Sequence, residues 1–229
     1  MVNKLWNASK FTISHLKDYK QPDKLEVFDR WILSKLQKLI NDCTESFDKY
    51  EYNKPKLDLE KFFWHTFCDN YLEIVKDRIY NEDRWVEKHA RPSAQHGLHT
   101  TLLAVLKMSA PILPHITEEI YQSHFAKIED KKSIHNADWP VDNKDLIDTG
   151  AEEIGDLGID IIQTVRKIKS ENQMALNKEV DMLIVKGCDK EHIKSIEDDL
   201  KAVCKASSIK FEGRTTHESS LYKAKIGVK

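Results

Sequence analysis

Glycine is scarce in this chain of 229 residues. Only seven occur, and Gly97 alone precedes residue 150. A strand-rich or dinucleotide-binding domain of that length would need more, because tight turns and phosphate loops use backbone conformations that glycine adopts most readily. The first 149 residues are therefore expected to be nearly all helix. Cysteine is sparse too. Cys43, Cys68, Cys188 and Cys204 form no CxxC pair and sit in apolar helical patterns, so they read as buried free thiols of a reducing cytosol. No stretch approaches the roughly 18–20 uninterrupted apolar residues of a membrane span. The opening Met1-Val2-Asn3-Lys4-Leu5-Trp6-Asn7 lacks the apolar core of a signal peptide. A cytoplasmic protein without membrane contact is expected. An excess of one charge is also missing: Lys and Arg total 36 against 38 Asp and Glu, for a formal net charge of -2. That excludes nucleic-acid affinity from overall basicity and leaves room for a local basic face. At 40% hydrophobic, the chain can supply a sizeable core and is no disordered tail.

What is present is helical periodicity. The first helix is expected over about 1–19, ended by Lys20-Gln21-Pro22-Asp23. Phe28, Ile32, Leu36, Leu39, Cys43, Phe47 and Tyr50 recur at steps of three and four, one apolar stripe on a helix over about 25–51. A third helix, about 57–80, places Leu59, Phe63, Phe67, Asn70 and Ile74 on one face. Arg91-Pro92-Ser93 opens a fourth, Pro111 and Pro114 interrupt it, and a short helix through Ile120 and Phe125 follows. After an irregular stretch, Leu146, Ile147, Ile154, Leu157, Ile161, Val165 and Ile168 mark another long helix. Short connections between such helices predict a mainly α antiparallel bundle over 1–173. From 174 to 229 the pattern changes. Val180–Val185, Ser208–Glu212 and Leu221–Val228 read as strands around a charged helix at about 190–205, a small C-terminal α/β unit.

Catalytic signatures are absent. There is no GxxxxGK[ST], GxGxxG after a strand, GxSxG or HExxH. Gly150, Gly155 and Gly158 lie inside a helical pattern, where they permit close packing rather than cradle phosphate. His96-Gly97-Leu98-His99 and Lys107-Met108-Ser109 share letters with the HIGH and KMSKS elements of class I aminoacyl-tRNA synthetases, but neither lies in a nucleotide-binding βαβ unit. No metal site is expected: His96 with His99, or His115 with Glu118 and Glu119, have helical spacing that could hold zinc, yet no further ligand is indicated. Glu118 and Glu119 read as first-turn acids at a helix N-terminus.

The remaining signal is polar and aromatic. Asn3, Lys4, Trp6, Asn7, Ser9, Lys10 and Phe11 crowd the first helix, and Asp29, Arg30 and Trp31 open the second. Such a mix suits RNA, with aromatic faces for splayed bases, Asn and Asp for base edges, and Lys and Arg for phosphate. The competing reading is that Trp6 and Trp31 are packing residues. A second basic patch, Arg166, Lys167 and Lys169 with Lys178 beyond, follows an acidic run from Asp142 to Asp160. That reads either as a polarised field for RNA or as a solvated helix with favourably placed end charges.

Five blocks, in order and nearly spanning the chain, carry a resemblance. Asn3-Lys4-Leu5-Trp6-Asn7-Ala8-Ser9-Lys10-Phe11, Asp29–Leu36 and Ala110–Tyr121 are similar to the anticodon-binding region of class I synthetases for branched aliphatic amino acids. Ser133-Ile134-His135 leading to Asp138-Trp139-Pro140 resembles that group's SxH…WP segment. Phe62–Glu73 resembles the FxWxxFCDxYLE of the valyl-tRNA synthetases, as does Arg166–Glu171 with Ala175–Lys178.

The resemblance implies a helix bundle that holds the anticodon stem and loop of valine tRNA, beside the protein's own N-terminal catalytic domain. It implies base-reading roles for Asn3, Trp6, Asn7, Lys10, Arg30 and Trp31, and weaker tRNA-backbone roles for Arg166, Lys167, Lys169 and Lys178. It implies no catalytic residue and no cofactor in this chain; ATP with magnesium belongs to the parent enzyme. The chain would then be a piece of a longer enzyme, without the coiled-coil arm of many bacterial forms. The alternative of another class is a helical protein–protein interaction module without tRNA binding.

Overall fold

The computed structural model describes residues 1–85 and 90–228. Its first half is helical, as the glycine count requires. Helix α1 (Val2–Ser14) stops at His15, short of the expected 19, because the Ser14 hydroxyl and the His15 ring both turn back onto the Phe11 carbonyl. Helix α2 (Val27–Asp48) is the centre of the bundle and packs chiefly on the helices over 90–109 and 149–171, and on that over 53–61.

The third helix is not uniform. It begins as α3 (Asn53–Lys61), widens into a π-helical segment (Phe62–Tyr71) and returns to α-helix as α4 (Leu72–Tyr80). The wider turn changes which side chains face inward. Tyr71 is fully buried, whereas Asn70, expected on the apolar stripe, is only half-buried and bonds the His65 carbonyl at 2.8 Å. A single turn, α5 (Glu82–Trp85), follows. Helices α6 (Ala90–Ser109) and α7 (Pro114–Glu129) flank the expected proline break.

Helix α8 (Thr149–Glu171) starts later than its apolar pattern predicts, because the Asp148 carboxylate caps it by accepting from Ala151 N at 2.8 Å. Its glycines act as the sequence suggests. A Cβ on Gly155 would lie 2.3 Å from Trp31, and one on Gly158 would lie 2.7 Å from Phe28. These contacts let α8 press against α2.

The C-terminal part has a four-stranded sheet in the order β2-β1-β4-β3, from β1 (Val180–Lys186), β2 (Ala206–Lys210), β3 (His217–Glu218) and β4 (Lys225–Val228). β1 and β2 run parallel through a crossover of two short helices, α9 (Lys190–Ser195) and α10 (Glu197–Cys204). β4 returns antiparallel to β1, pairing Leu183 with Val228.

No gap in the core marks residue 173. Phe28, Leu36, Phe67 and Ile161 of the bundle belong to one buried cluster with Leu183, Val185, Leu200 and Ile226. Two polar anchors reinforce that join. The Arg78 guanidinium, fully buried, donates to Asp29 of α2 at 2.7 Å and through Nε to Asp199 of α10 at 2.7 Å. Burial penalises its charge, yet the two carboxylates outweigh that and raise its pKa. Asp160 of α8 accepts three backbone N–H groups, from Ser220, Leu221 and Tyr222, at 2.8–3.1 Å.

Candidate nucleic-acid interface

On α1, Leu5, Ala8, Ser9 and Thr12 recur at helical spacing and are buried. The opposite side carries Asn3, Trp6, Asn7 and Lys10, all exposed. Trp6 is 42% accessible, a large ring left in water. Lys10 makes no ion pair or hydrogen bond among the described residues, nor do Lys17, Lys20 and Lys24 in the connection to α2. All four are exposed. The last three were missed in the sequence because they lie outside any apolar period. Their spacing on from Lys10 was the available signal.

That connection is fixed rather than loose. Gln95 donates to the His15 carbonyl at 2.8 Å and to Asp18 at 2.9 Å, and Arg91 donates to Asp18. The Arg91 hydrogen bond holds the Asp18 carboxyl below its usual range. Tyr19 meets His96 Nδ1 at 2.8 Å and stacks on His99 at 4.9 Å. Burial, with His124 and His96 nearby, pushes His99 down to about 4, so it is neutral at pH 7.

One flank of α1 leans on the π-helical segment. Lys4 Nζ reaches Asp69 at 2.8 Å and lies 4.5 Å from the Trp64 ring centroid. Arg166 of α8 donates to the Asp69 carbonyl at 3.3 Å. The two patches read separately in the sequence thus flank one residue.

Three expected site residues are placed otherwise. Trp31 is 2% accessible; its ring covers Gly155, and Nε1 donates to Asp156 at 2.8 Å. Arg30 turns to Asp148 at 2.5 Å. Lys35 and Lys38, on the same helix, take Asp156 at 3.0 Å and Glu152 at 2.5 Å. The acidic run of α8 is therefore the counter-charge of α2 rather than one pole of an open field. Burial works against the Glu152 carboxylate, but Lys38 and Ser34 still hold its pKa below the usual value.

Lys169 is the third. It is 1% accessible, and its ammonium donates to the Leu176, Lys178 and Cys204 carbonyls at 3.0, 2.7 and 2.9 Å. It splices the end of α10 and the loop after α8, and no phosphate can reach it. Arg166 is half-buried, while Lys167 and Lys178 are exposed, Lys167 reaching Glu171 only at 4.0 Å.

The remaining polar candidates have structural roles. Glu118 does not serve the α7 N-terminus. It accepts from Ser133 Oγ and Ile134 N, both at 2.9 Å, and so fastens the SxH segment to α7. Among the described residues, no group of three or more His, Cys, Asp or Glu could hold a metal ion. Cys43, Cys68 and Cys204 are buried, and burial pushes each thiol up to about 12. No described helix is long and apolar enough to cross a membrane.

Comparison with known proteins agrees with this architecture. The family model for the anticodon-binding domain of tRNA ligase matches residues 29–184. The chain is 42% identical over 221 residues to the valine–tRNA ligase of Ehrlichia ruminantium (strain Welgevonden), covering 95% of this chain and 26% of the relative. It is 40% identical over 217 residues to that of Ehrlichia canis, covering 93% and 26%. With the valine–tRNA ligase of Pyrococcus furiosus the identity is 36% over 204 residues, covering 87% and 22%. The chain spans about a quarter of the length of these relatives. A bundle of this order, matched over most of its length by that model, belongs to the anticodon-binding domain family of tRNA ligases.

Proposed function

We propose that this chain is the anticodon-binding region of a cytoplasmic valine–tRNA ligase, and that it positions valine tRNA for aminoacylation by a catalytic domain preceding residue 1. Residues 1–173 would grip the anticodon stem and loop, with residues 174–229 as a buttress. The observation that carries this reading is the outer side of α1, where Asn3, Trp6, Asn7 and Lys10 stand exposed with the unpaired lysines of the next connection beyond them. Trp6 offers a face for an unstacked base, Asn3 and Asn7 offer amides to base edges, and the lysines meet phosphate. Lys167 and Lys178 remain available for the tRNA backbone, with Arg166 beside them. ATP and magnesium would be held by the catalytic domain: this chain has no glycine-rich phosphate loop, and its described residues offer no metal-holding cluster.

The test is binding of the 229-residue chain to valine tRNA and to the same tRNA with another anticodon, at two salt concentrations. A preference for the valine anticodon at both salts is expected. Equal retention of the two with a steep salt slope would reduce the interaction to phosphate contact alone.

A further inference from the structure

The described surface holds a large cleft that the α1 reading leaves unused. It lies between α4 and a facing wall built from α8, the loop after it and the end of α10, and its volume is about 740 Å³. That falls within the roughly 300–1,000 Å³ of small-ligand sites.

The two walls differ in charge. On the α4 side, Asp69, Glu73 and Asp77 line the cleft, and each is already engaged: Asp69 by Lys4, Glu73 by Lys76 at 2.5 Å, Asp77 by Arg84 at 3.1 Å. The facing wall carries Arg166, which spends a single N–H on the Asp69 carbonyl. It also carries Lys205, which makes no ion pair among the described residues. Lys169 lies beneath them with its ammonium saturated by carbonyls. The cations with donors to spare therefore outnumber the free carboxylates, and the cleft favours an anion.

A bare anion would leave the rest of the cleft unused. Tyr80 stands at the rim, 62% accessible, its ring held edge-on by Phe11 at 6.0 Å and His15 at 5.0 Å. Asn81 spends its amide N–H on Asp77, which leaves its carbonyl oxygen free, and Asn177 is exposed on the other side. A fixed aromatic face, free amide groups and two spare cations are what a base joined to a phosphate requires. Phe11 lies on α1 and His15 caps it, and Lys4 of α1 pairs with Asp69 of the cleft, so α1 borders the cleft.

We propose that this cleft is a nucleotide site, filled by one unstacked nucleotide of the RNA that α1 holds, with its base on Tyr80 and its phosphate at Arg166 and Lys205. The proposal rests on the RNA-binding reading of α1 and adds a second point of grip to it.

The experiment measures binding of a valine anticodon stem–loop to the 229-residue chain by fluorescence anisotropy, with AMP followed separately through the Asn81 and Asn177 side-chain NMR signals. Tyr80→Ala is expected to weaken stem–loop binding at least about fivefold, and Tyr80→Phe to retain it. Arg166→Gln and Lys205→Gln should each weaken it, and the double variant should flatten the salt slope by about 0.7, the share of one phosphate. Stem–loop binding unchanged in both Tyr80→Ala and Arg166→Gln overturns the proposal. If the unsubstituted chain binds no stem–loop, the α1 reading has failed and AMP decides the cleft. Shifts at Asn81 and Asn177 that vanish in Tyr80→Ala assign it to a free nucleotide, and no shift overturns it.

Discussion

Helix α1 and the first turns of α2 carry nearly the same side chains and end in opposite states. Each offers a tryptophan beside polar and cationic residues. On α1, Trp6 is 42% accessible and Lys10 has no partner among the described residues. On α2, Trp31 is 2% accessible and Arg30, Lys35 and Lys38 are all paired. The difference lies in what each face meets. Helix α8 and its cap present Asp148, Glu152 and Asp156 to α2, with Gly155 leaving room for the indole, whereas no described residue covers Asn3, Trp6, Asn7 and Lys10 on the outer side of α1. The cations of α2 thus answer acids within the fold. Lys10 of α1 and Lys17, Lys20 and Lys24 of the following connection make no ion pair among the described residues and are free for an external anion.

The strongest way to break this comparison is at the deepest inward cation. Arg78→Ala would leave the Asp29 and Asp199 carboxylates buried without their partner, and a loss of about 3–5 kcal/mol is expected in urea unfolding. Retention of full stability would show that those carboxylates become protonated without cost.

The two tryptophans should then separate by readout. Trp31→Ala should cost about 3–5 kcal/mol of stability through the cavity it leaves. Trp6→Ala should leave stability within about 0.5 kcal/mol and cost about 1–3 kcal/mol in tRNA binding. A collapsed circular-dichroism signal in Trp6→Ala would place that ring in the core instead.

A smaller effect tests how firmly the α1–α2 connection is held. Burial lowers the pKa values of His96, His99 and His124, so the unfolded chain takes up their protons first as pH falls. Their stabilisation is complete above the unfolded value of 6.5 and is lost as pH drops toward about 4, the folded value of His99. The melting temperature should fall over that window, and His99→Gln should flatten part of the fall. An identical profile in both proteins would remove His99 from the account.

The smallest effect compares single lysines. Lys10→Ala should reduce the slope of log affinity against log salt by about 0.7–0.9, and Lys38→Ala, already paired with Glu152, should leave it unchanged. Equal slopes for the two variants would erase the distinction between outward and inward cations.

The bundle was legible because it follows local rules: few glycines, a period of three and four, and prolines at the breaks. The pairing of Arg30 and the burial of Trp31 were not, because their partners lie 118 and 125 residues away. Lys169 was misplaced for another reason. It was grouped with the neighbouring cations, although it continues the stripe of Ile161 and Val165 at steps of four, and position on the stripe outweighed charge. On α1 the residue types alone did not separate the two sides, because Ser9, grouped with Asn7 and Lys10 by its polarity, is buried beside Leu5 and Ala8. The free lysines at 17, 20 and 24 flank no apolar stripe, and only their spacing on from Lys10 marks them. No period announced the π-helical segment either, so Asn70 was expected where Tyr71 lies.

That segment also sets the phase of everything after it. A π turn absorbs extra length inside a helix without forming a loop. Closing this segment into ordinary α-helix at unchanged length would rotate α4 by about 100° relative to α3 for each residue the wide turn absorbs. Arg78 would swing out of line with Asp29 and Asp199, and Tyr71 would leave its place under Gly97. Closing the wide turn should thus act at the junction with the C-terminal sheet more than at the point of change. The width of this turn sets the alignment of Arg78 as surely as residue identity does.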